Sequence, residues 1–122
     1  MNKPENNTGL RRILNAFAFS YAGFKAAWRT EEAFRQEAIG GFLIFIPAGL
    51  YLGETAAEKA ILAGSVLLLM IVELLNTAVE RAIDRISFDR HELSKEAKDM
   101  GSAAVLLTLI LALLSWGLIL FL

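Results

Sequence analysis

The last stretch of the chain, residues 100–122, carries no charged side chain and no proline. As a helix rising about 1.5 Å per residue it is long enough to cross the roughly 30 Å hydrocarbon core of a bilayer. A soluble domain of 122 residues has too little interior to hide such a segment. Two further apolar runs accompany it. Residues 60–79 contain a single charge, Glu73, and residues 38–53 contain none but include Pro47. The 38–53 run is short, so Phe34 and the aliphatic stem of Arg35 are needed to extend it; proline is tolerated in membrane helices, where neighbouring groups satisfy the freed backbone. Three buried helices of a soluble bundle are the weaker alternative. The pattern predicts an all-α integral membrane protein of one domain, 1–122, with helices spanning the membrane at about 34–53, 60–85 and 94–122.

The charged residues, 20% of the chain, are therefore segregated, and their placement sets orientation. Lys3, Arg11, Arg12, Lys25, Arg29 and Arg35 precede the first run, only Lys59 separates the first from the second, and Arg81, Arg85, Arg90, Lys95 and Lys98 lie between the second and third. Short loops rich in Lys and Arg stay in the cytoplasm. The N-terminal segment and residues 80–99 are expected there, with the 53–59 turn and the C-terminus on the other side. The polar N-terminus shows no cleavable signal peptide. A net charge of −1 gives no reason to expect a nucleic-acid partner. The absence of cysteine excludes disulfides, thiolate metal sites and a Cys nucleophile.

Before the first run, Leu10, Ile13, Leu14, Phe17, Tyr21, Phe24 and Trp28 recur at steps of three and four, opposite Arg11, Asn15, Lys25 and Arg29. This is the pattern of a basic amphipathic helix lying in the membrane interface, about 8–29, with Asn7 or Thr8 as its cap. It is either a simple anchor or part of a site. Between the second and third runs, a polar loop over 87–92 holds the only histidine, His91. "SKEAKD" then reads as a helix start, with Ser94 as cap and Glu96 in the first turn.

The chemistry-bearing residues lie in "VELLNTAVERAID". Glu73, Asn76, Thr77, Glu80 and Asp84 are spaced to form one stripe on a helix. A carboxylate at a membrane-helix centre costs roughly 2.5–3.5 kcal/mol on insertion scales, and such groups face the bundle interior. Three readings follow: hydrogen-bonding glue between helices, a proton- or cation-coupled transporter, or an enzyme at the membrane surface. The third is favoured because Glu73 lies about two turns, roughly 10 Å by helix rise, below Glu80 and the polar cytoplasmic segment. A lipid hydroxyl could meet a polar reagent there, whereas a transporter would centre its site nearer the midplane. Glu31, Glu32 and Glu37 supply further oxygens. Carboxylates with no Cys and one His suit a hard ion, Mg²⁺, rather than Zn²⁺. No glycine-rich phosphate loop is present, so any nucleotide is held by scattered Arg, Lys and carboxylate groups.

"EEAFRQE", "VELLNTAVERAIDRI" and "HELSKEAKDMGSAAVLL", in this order and at these distances, resemble the small membrane-integral diacylglycerol kinase of Gram-negative bacteria. The similarity runs over residues 9–121. The resemblance implies phosphorylation of diacylglycerol to phosphatidic acid with Mg·ATP, in the bacterial inner membrane, by a homotrimer whose sites form between protomers. It implies that Glu73 is the general base, that Asn76 supports it, and that Glu31 and Glu80 bind divalent ions. Lys98 and Asp99 fall in the nucleotide site, the lysine offsetting phosphate charge, and Asp89, Arg90 and His91 fall in the loop that touches nucleotide. Arg12 falls where a basic residue meets nucleotide and lipid, and Phe19 where a ring lies by the nucleotide. The lipid would follow the surface helix along Ala16, Phe17, Ala18, Phe19, Ser20 and Tyr21, then Lys25, Ala26, Ala27 and Trp28. It would continue past Ala33, Phe34, Arg35, Gln36 and Glu37 to Ser102 and to Trp116 near the end of the last helix.

The sequence also departs from the family pattern. Phe19 replaces a common Tyr, Asn15 and Ala22 stand at frequent Lys positions, and Asp89-Arg90 replaces the more usual Glu-Tyr. None of these touches Glu31, Glu73, Asn76, Glu80, Lys98 or Asp99. The Gram-positive undecaprenol kinase shares the glutamate–asparagine helix and is the nearest alternative; "AFRQE" favours the Gram-negative branch.

Overall fold

The computed structural model describes residues 8–89 and 91–122, and every regular element among them is helical. The chain divides into two compact units, Met1–Glu32 and Ala33–Leu122. The first holds α1 (Gly9–Thr30), whose large apolar side chains Leu10, Phe17, Tyr21 and Phe24 are all exposed. Thr8 occupies the N-cap position with extended backbone, but its side chain makes no capping bond, so the expected hydroxyl cap is absent; Asn7 lies outside the described residues. At the other end the Thr30 hydroxyl donates to the Ala26 carbonyl at 2.7 Å and the Glu31 N–H to the Ala27 carbonyl at 2.9 Å.

Helical pieces laid end to end follow: α2 (Glu32–Gly40), a π-helical turn (Gly41–Phe45) and α3 (Ile46–Leu52), all but Glu32 in the second unit. Pro47 explains the wide turn. Proline has no N–H to donate, and its ring collides with the carbonyl four residues back. Widening the preceding turn, with the Ile46 N–H bonded to the Gly41 carbonyl, opens room for the ring without breaking the rod. On the N-terminal side of the 38–53 run, helix starts at Glu32.

A tight turn leads to α4 (Ala56–Ile86). Thr55 caps it, accepting the Glu58 N–H on its hydroxyl at 3.1 Å, while Glu58 accepts the Glu54 N–H at 3.1 Å. The lone cation of this turn, Lys59, donates to the Leu50 carbonyl at the end of α3, where a positive charge complements the helix dipole. The close approach of α3 to α4 requires a glycine. A Cβ on Gly49 would lie 2.9 Å from the Leu62 Cβ and 3.1 Å from the Ala63 amide nitrogen, and Leu62 is fully buried. Because backbone cannot yield as a side-chain tip does, Gly49→Ala is expected to destabilise the helix pair by about 1–3 kcal/mol. Thermal unfolding in detergent micelles reads this directly.

After α4 the chain reverses into α5 (Glu92–Phe121). The cap is His91, not Ser94 as expected from side-chain preference. His91 has extended backbone, and its Nδ1 accepts the Leu93 N–H at 3.1 Å, so the ring satisfies a free donor and the helix starts before the serine. Farther along, the Trp116 indole N–H is shared between the Leu62 carbonyl at 3.1 Å and the Ser65 hydroxyl at 3.2 Å. The Phe45 ring meets Trp116 edge-on, centroids 6.0 Å apart at 85°, which fastens all three rods of this unit together. Both α4 and α5 are long and apolar enough to cross a membrane. No residue of α5 is buried, and Leu106, Leu107, Leu113 and Leu114 are exposed. A continuous apolar surface of this kind needs lipid or another apolar face against it.

Candidate active site

The acidic stripe of α4 is where the second unit gathers its polar groups. Glu73, Asn76, Thr77, Glu80 and Asp84 are all half-buried, because this face of α4 turns toward the neighbouring helices. At the deepest position the carboxyl groups of Glu73 and Glu37, the latter on α2, share a hydrogen bond. Two carboxyl groups can do so only with one proton between them. One turn higher, the Asn76 amide Nδ2 donates to Glu80 Oε1 at 3.2 Å, fixing the carboxylate from one side. The α5 backbone passes so close that a Cβ on Gly101 would stand 2.1 Å from Asn76 Oδ1. Two buried side-chain oxygens, Glu37 Oε2 and Asn76 Oδ1, have no hydrogen-bond partner among the described residues. Orphaned buried acceptors are rare and call for a missing donor; here they flank Glu73.

Above the stripe, where α4 gives way to α5, lies a cleft of about 400 Å³. Its walls include Asp84, Asp89, His91, Lys95, Lys98 and Asp99. Lys98 crosses from α5 to α4 to meet Asp84 at 2.7 Å, and Lys95 meets Asp99 at 2.7 Å within α5. Ser87 accepts the Asp89 N–H at 2.9 Å and so shapes the loop. The structure thus brings together four of the residues expected at a nucleotide, Asp89, His91, Lys98 and Asp99. Arg90, also expected there, lies outside the described residues.

A second cavity of about 520 Å³ is almost wholly apolar, and joins Gln36 and Glu37 to Phe45, Met70, Leu113 and Trp116. It unites three residues of the expected lipid path, Gln36, Glu37 and Trp116. The indole N–H of Trp116 points into the helix packing, so this residue offers a ring face rather than a donor. Phe34 is buried, Arg35 half-buried, and Ala33 and Ser102 exposed. The remaining expected residues belong to the first unit. On α1, Arg12, Ala16, Phe17, Ala18, Phe19, Ser20, Tyr21, Lys25 and Trp28 are exposed, Ala26 is half-buried and Ala27 buried; Glu31, half-buried, follows the helix.

Sequence reasoning left three features without a role: the Glu37–Glu73 pair, Asp84 as partner of Lys98, and Lys95 in the cleft. Lys95 was within reach, since positions 95, 98 and 99 share a helix face; the other two depend on how separate helices meet. Among the described residues no three His, Asp or Glu side chains gather as an ion-binding cluster.

A family model for prokaryotic diacylglycerol kinase matches residues 18–120. The chain is 47% identical over 115 residues to the diacylglycerol kinase of Escherichia coli K12, covering 94% of this chain and 93% of that protein. It is 47% identical over 116 residues to that of Pseudomonas aeruginosa, covering 95% and 94%. Against that of Haemophilus influenzae it is 48% identical over 116 residues, covering 93% and 96%.

Proposed function

Because the chain belongs to the prokaryotic diacylglycerol kinase family and is a lipid kinase, we propose that it transfers the γ-phosphate of ATP to the free hydroxyl of diacylglycerol, giving phosphatidic acid. The observation that carries this reading is vertical. A half-buried carboxyl, Glu73, hydrogen-bonded to Glu37, sits about three helical turns along α4 from Ile83 and Asp84, which line a cleft also walled by Lys95 and Lys98. A diacylglycerol keeps its acyl chains in the bilayer and presents its hydroxyl near the interface, while ATP comes from water. Glu73 is deep enough for the first, and the cleft open enough for the second.

In the proposed reaction Glu73 takes the hydroxyl proton as the lipid oxygen attacks the γ-phosphorus, and the bond to the β-phosphate oxygen breaks to release ADP. To act as the base, Glu73 must be a free carboxylate when the lipid hydroxyl arrives. Asn76 holds Glu80 and offers its spare carbonyl oxygen to the site. Lys98 offsets phosphate charge, beside Asp99, Asp89 and His91. Phosphoryl transfer is mostly positioning and charge neutralisation, which such groups supply.

Mg²⁺ fits this donor set, since the half-buried groups around Asn76 are carboxylate and amide oxygens, which suit a hard ion. Glu80 and Glu31 are its proposed ligands. When bound, the ion would neutralise and orient the phosphates. The surface role of α1, with Arg12, Phe19 and the aromatic face toward nucleotide and lipid, belongs to the same proposal. So do a third spanning helix over α2–α3, cytoplasmic placement of the N-terminus in the bacterial inner membrane, and a homotrimer. The homotrimer would cover the exposed face of α5 and complete each site with a neighbour's residues.

The test is a mixed-micelle assay with γ-labelled ATP and Mg²⁺. Label is expected in phosphatidic acid, with undecaprenol a much poorer acceptor. Label in neither lipid, from folded protein, would sink the reading. Preference for undecaprenol would move the chain to the polyprenol branch.

A further inference from the structure

We propose that Asp84 is a positioning residue, which holds the Lys98 ammonium at the cleft for the phosphates of the nucleotide; this rests on the nucleotide reading of the cleft given above. The two ion pairs of the cleft differ in kind. Lys95 and Asp99 are one helical turn apart, with side chains 52% and 64% exposed, and form wherever α5 is helical. Their geometry says nothing about tertiary placement. Lys98 and Asp84 are on different helices, 14 residues apart, with side chains 41% and 38% exposed, and meet at 2.7 Å. This contact forms only when α4 and α5 are both in place.

A lysine is a point charge on a flexible four-carbon stem, so it locates a phosphate only if something locates the lysine. Asp84 does that from across the gap. It lies one turn above Glu80 on the same face of α4. Without the Asp84 charge, the nearest carboxylate on that face is Glu80. A Lys98 drawn down to it would leave the phosphates and occupy the group proposed for the divalent ion. Asp84 therefore keeps the cation and the ion-binding carboxylate apart, and its own charge is offset by the lysine as the anionic ligand arrives.

Asp84→Asn keeps the shape and an acceptor oxygen but removes the charge. The KM for Mg·ATP is expected to rise about 10-fold, as for loss of a charge-assisted hydrogen bond, while kcat and the KM for diacylglycerol change less than about 3-fold. Binding of a non-hydrolysable Mg·ATP analogue, measured by titration calorimetry in micelles, is expected to weaken by the same factor. Asp84→Glu is expected to recover most of it, and Asp84→Asn is expected to add nothing in a Lys98→Gln background. The proposal is overturned if the KM for Mg·ATP is unchanged or falls, the latter meaning that Asp84 merely repels phosphate. It is also overturned if kcat, both KM values and the unfolding temperature shift together, as for a plain inter-helix staple. If the unaltered protein transfers no phosphate to any lipid alcohol, it is the kinase reading that fails, a result separable from the others.

Discussion

Glu73→Gln is expected to lower phosphate transfer to diacylglycerol by about 10³-fold, within the range lost when a general base is removed. The substitution keeps volume and shape. Its amide oxygen can still accept the hydrogen bond that the carboxyl shares with Glu37, and a neutral amide is easier to hold among apolar helices than a carboxylate. The fold should therefore survive, and the unfolding temperature in micelles should stay level or rise. Nucleotide binding should also survive, because the cleft with Lys98 and Asp99 is built from other residues. The measurement pairs the label-transfer rate with titration of a non-hydrolysable Mg·ATP analogue. A rate within 10-fold of the unaltered protein would remove Glu73 from the role of base, and a parallel loss of nucleotide binding would make its role structural.

How far the site could be read from sequence follows from which helices its parts occupy. Contacts along a single helix were legible. The spacing of Glu73, Asn76, Thr77, Glu80 and Asp84 fixes a common face, and all five are half-buried; the Asn76–Glu80 bond at 3.2 Å is the one-turn contact that such spacing permits. The two helices long and apolar enough to cross a membrane were equally plain, because an uncharged run announces itself. Contacts between helices were not legible. Nothing in "AFRQE" or "IVELL" says that Glu37 meets Glu73, since that depends on the packing angle of α2 against α4. The same holds for Lys98 and Asp84, whose residue types forecast a charge in each place but not their pairing. Pro47 signalled a disturbance without showing that a π-helical turn absorbs it. The cap of α5 was misplaced because serine outranks histidine in general preference, whereas the imidazole of His91 reaches the Leu93 N–H. The assignment of Glu31 to the ion and of Arg12 and Phe19 to nucleotide and lipid came from family resemblance rather than spacing.

Gly101→Ala is expected to lower kcat by about 10²-fold, the loss that follows when a site group is displaced by roughly 1 Å, with little change in stability. The added Cβ would stand 2.1 Å from Asn76 Oδ1 and 3.2 Å from its Cγ, far inside contact distance. The collision is with the tip of a side chain, so α5 need not retreat from α4; the amide can rotate away instead. That rotation breaks the 3.2 Å bond from Nδ2 to Glu80 and redirects the buried oxygen that has no partner among the described residues. The helix pair keeps its packing while the carboxylate proposed to bind the ion loses its brace. Gly64→Ala, whose Cβ would meet nothing within 4 Å, is the matched control for adding a methyl to a membrane-capable helix. If the loss runs through Asn76, then Gly101→Ala should add little in an Asn76→Ala background, since the two changes remove one interaction. A drop in unfolding temperature as large as that of Gly49→Ala, or full additivity with Asn76→Ala, would mean that Gly101 serves helix packing alone and that the asparagine is not the group it makes room for.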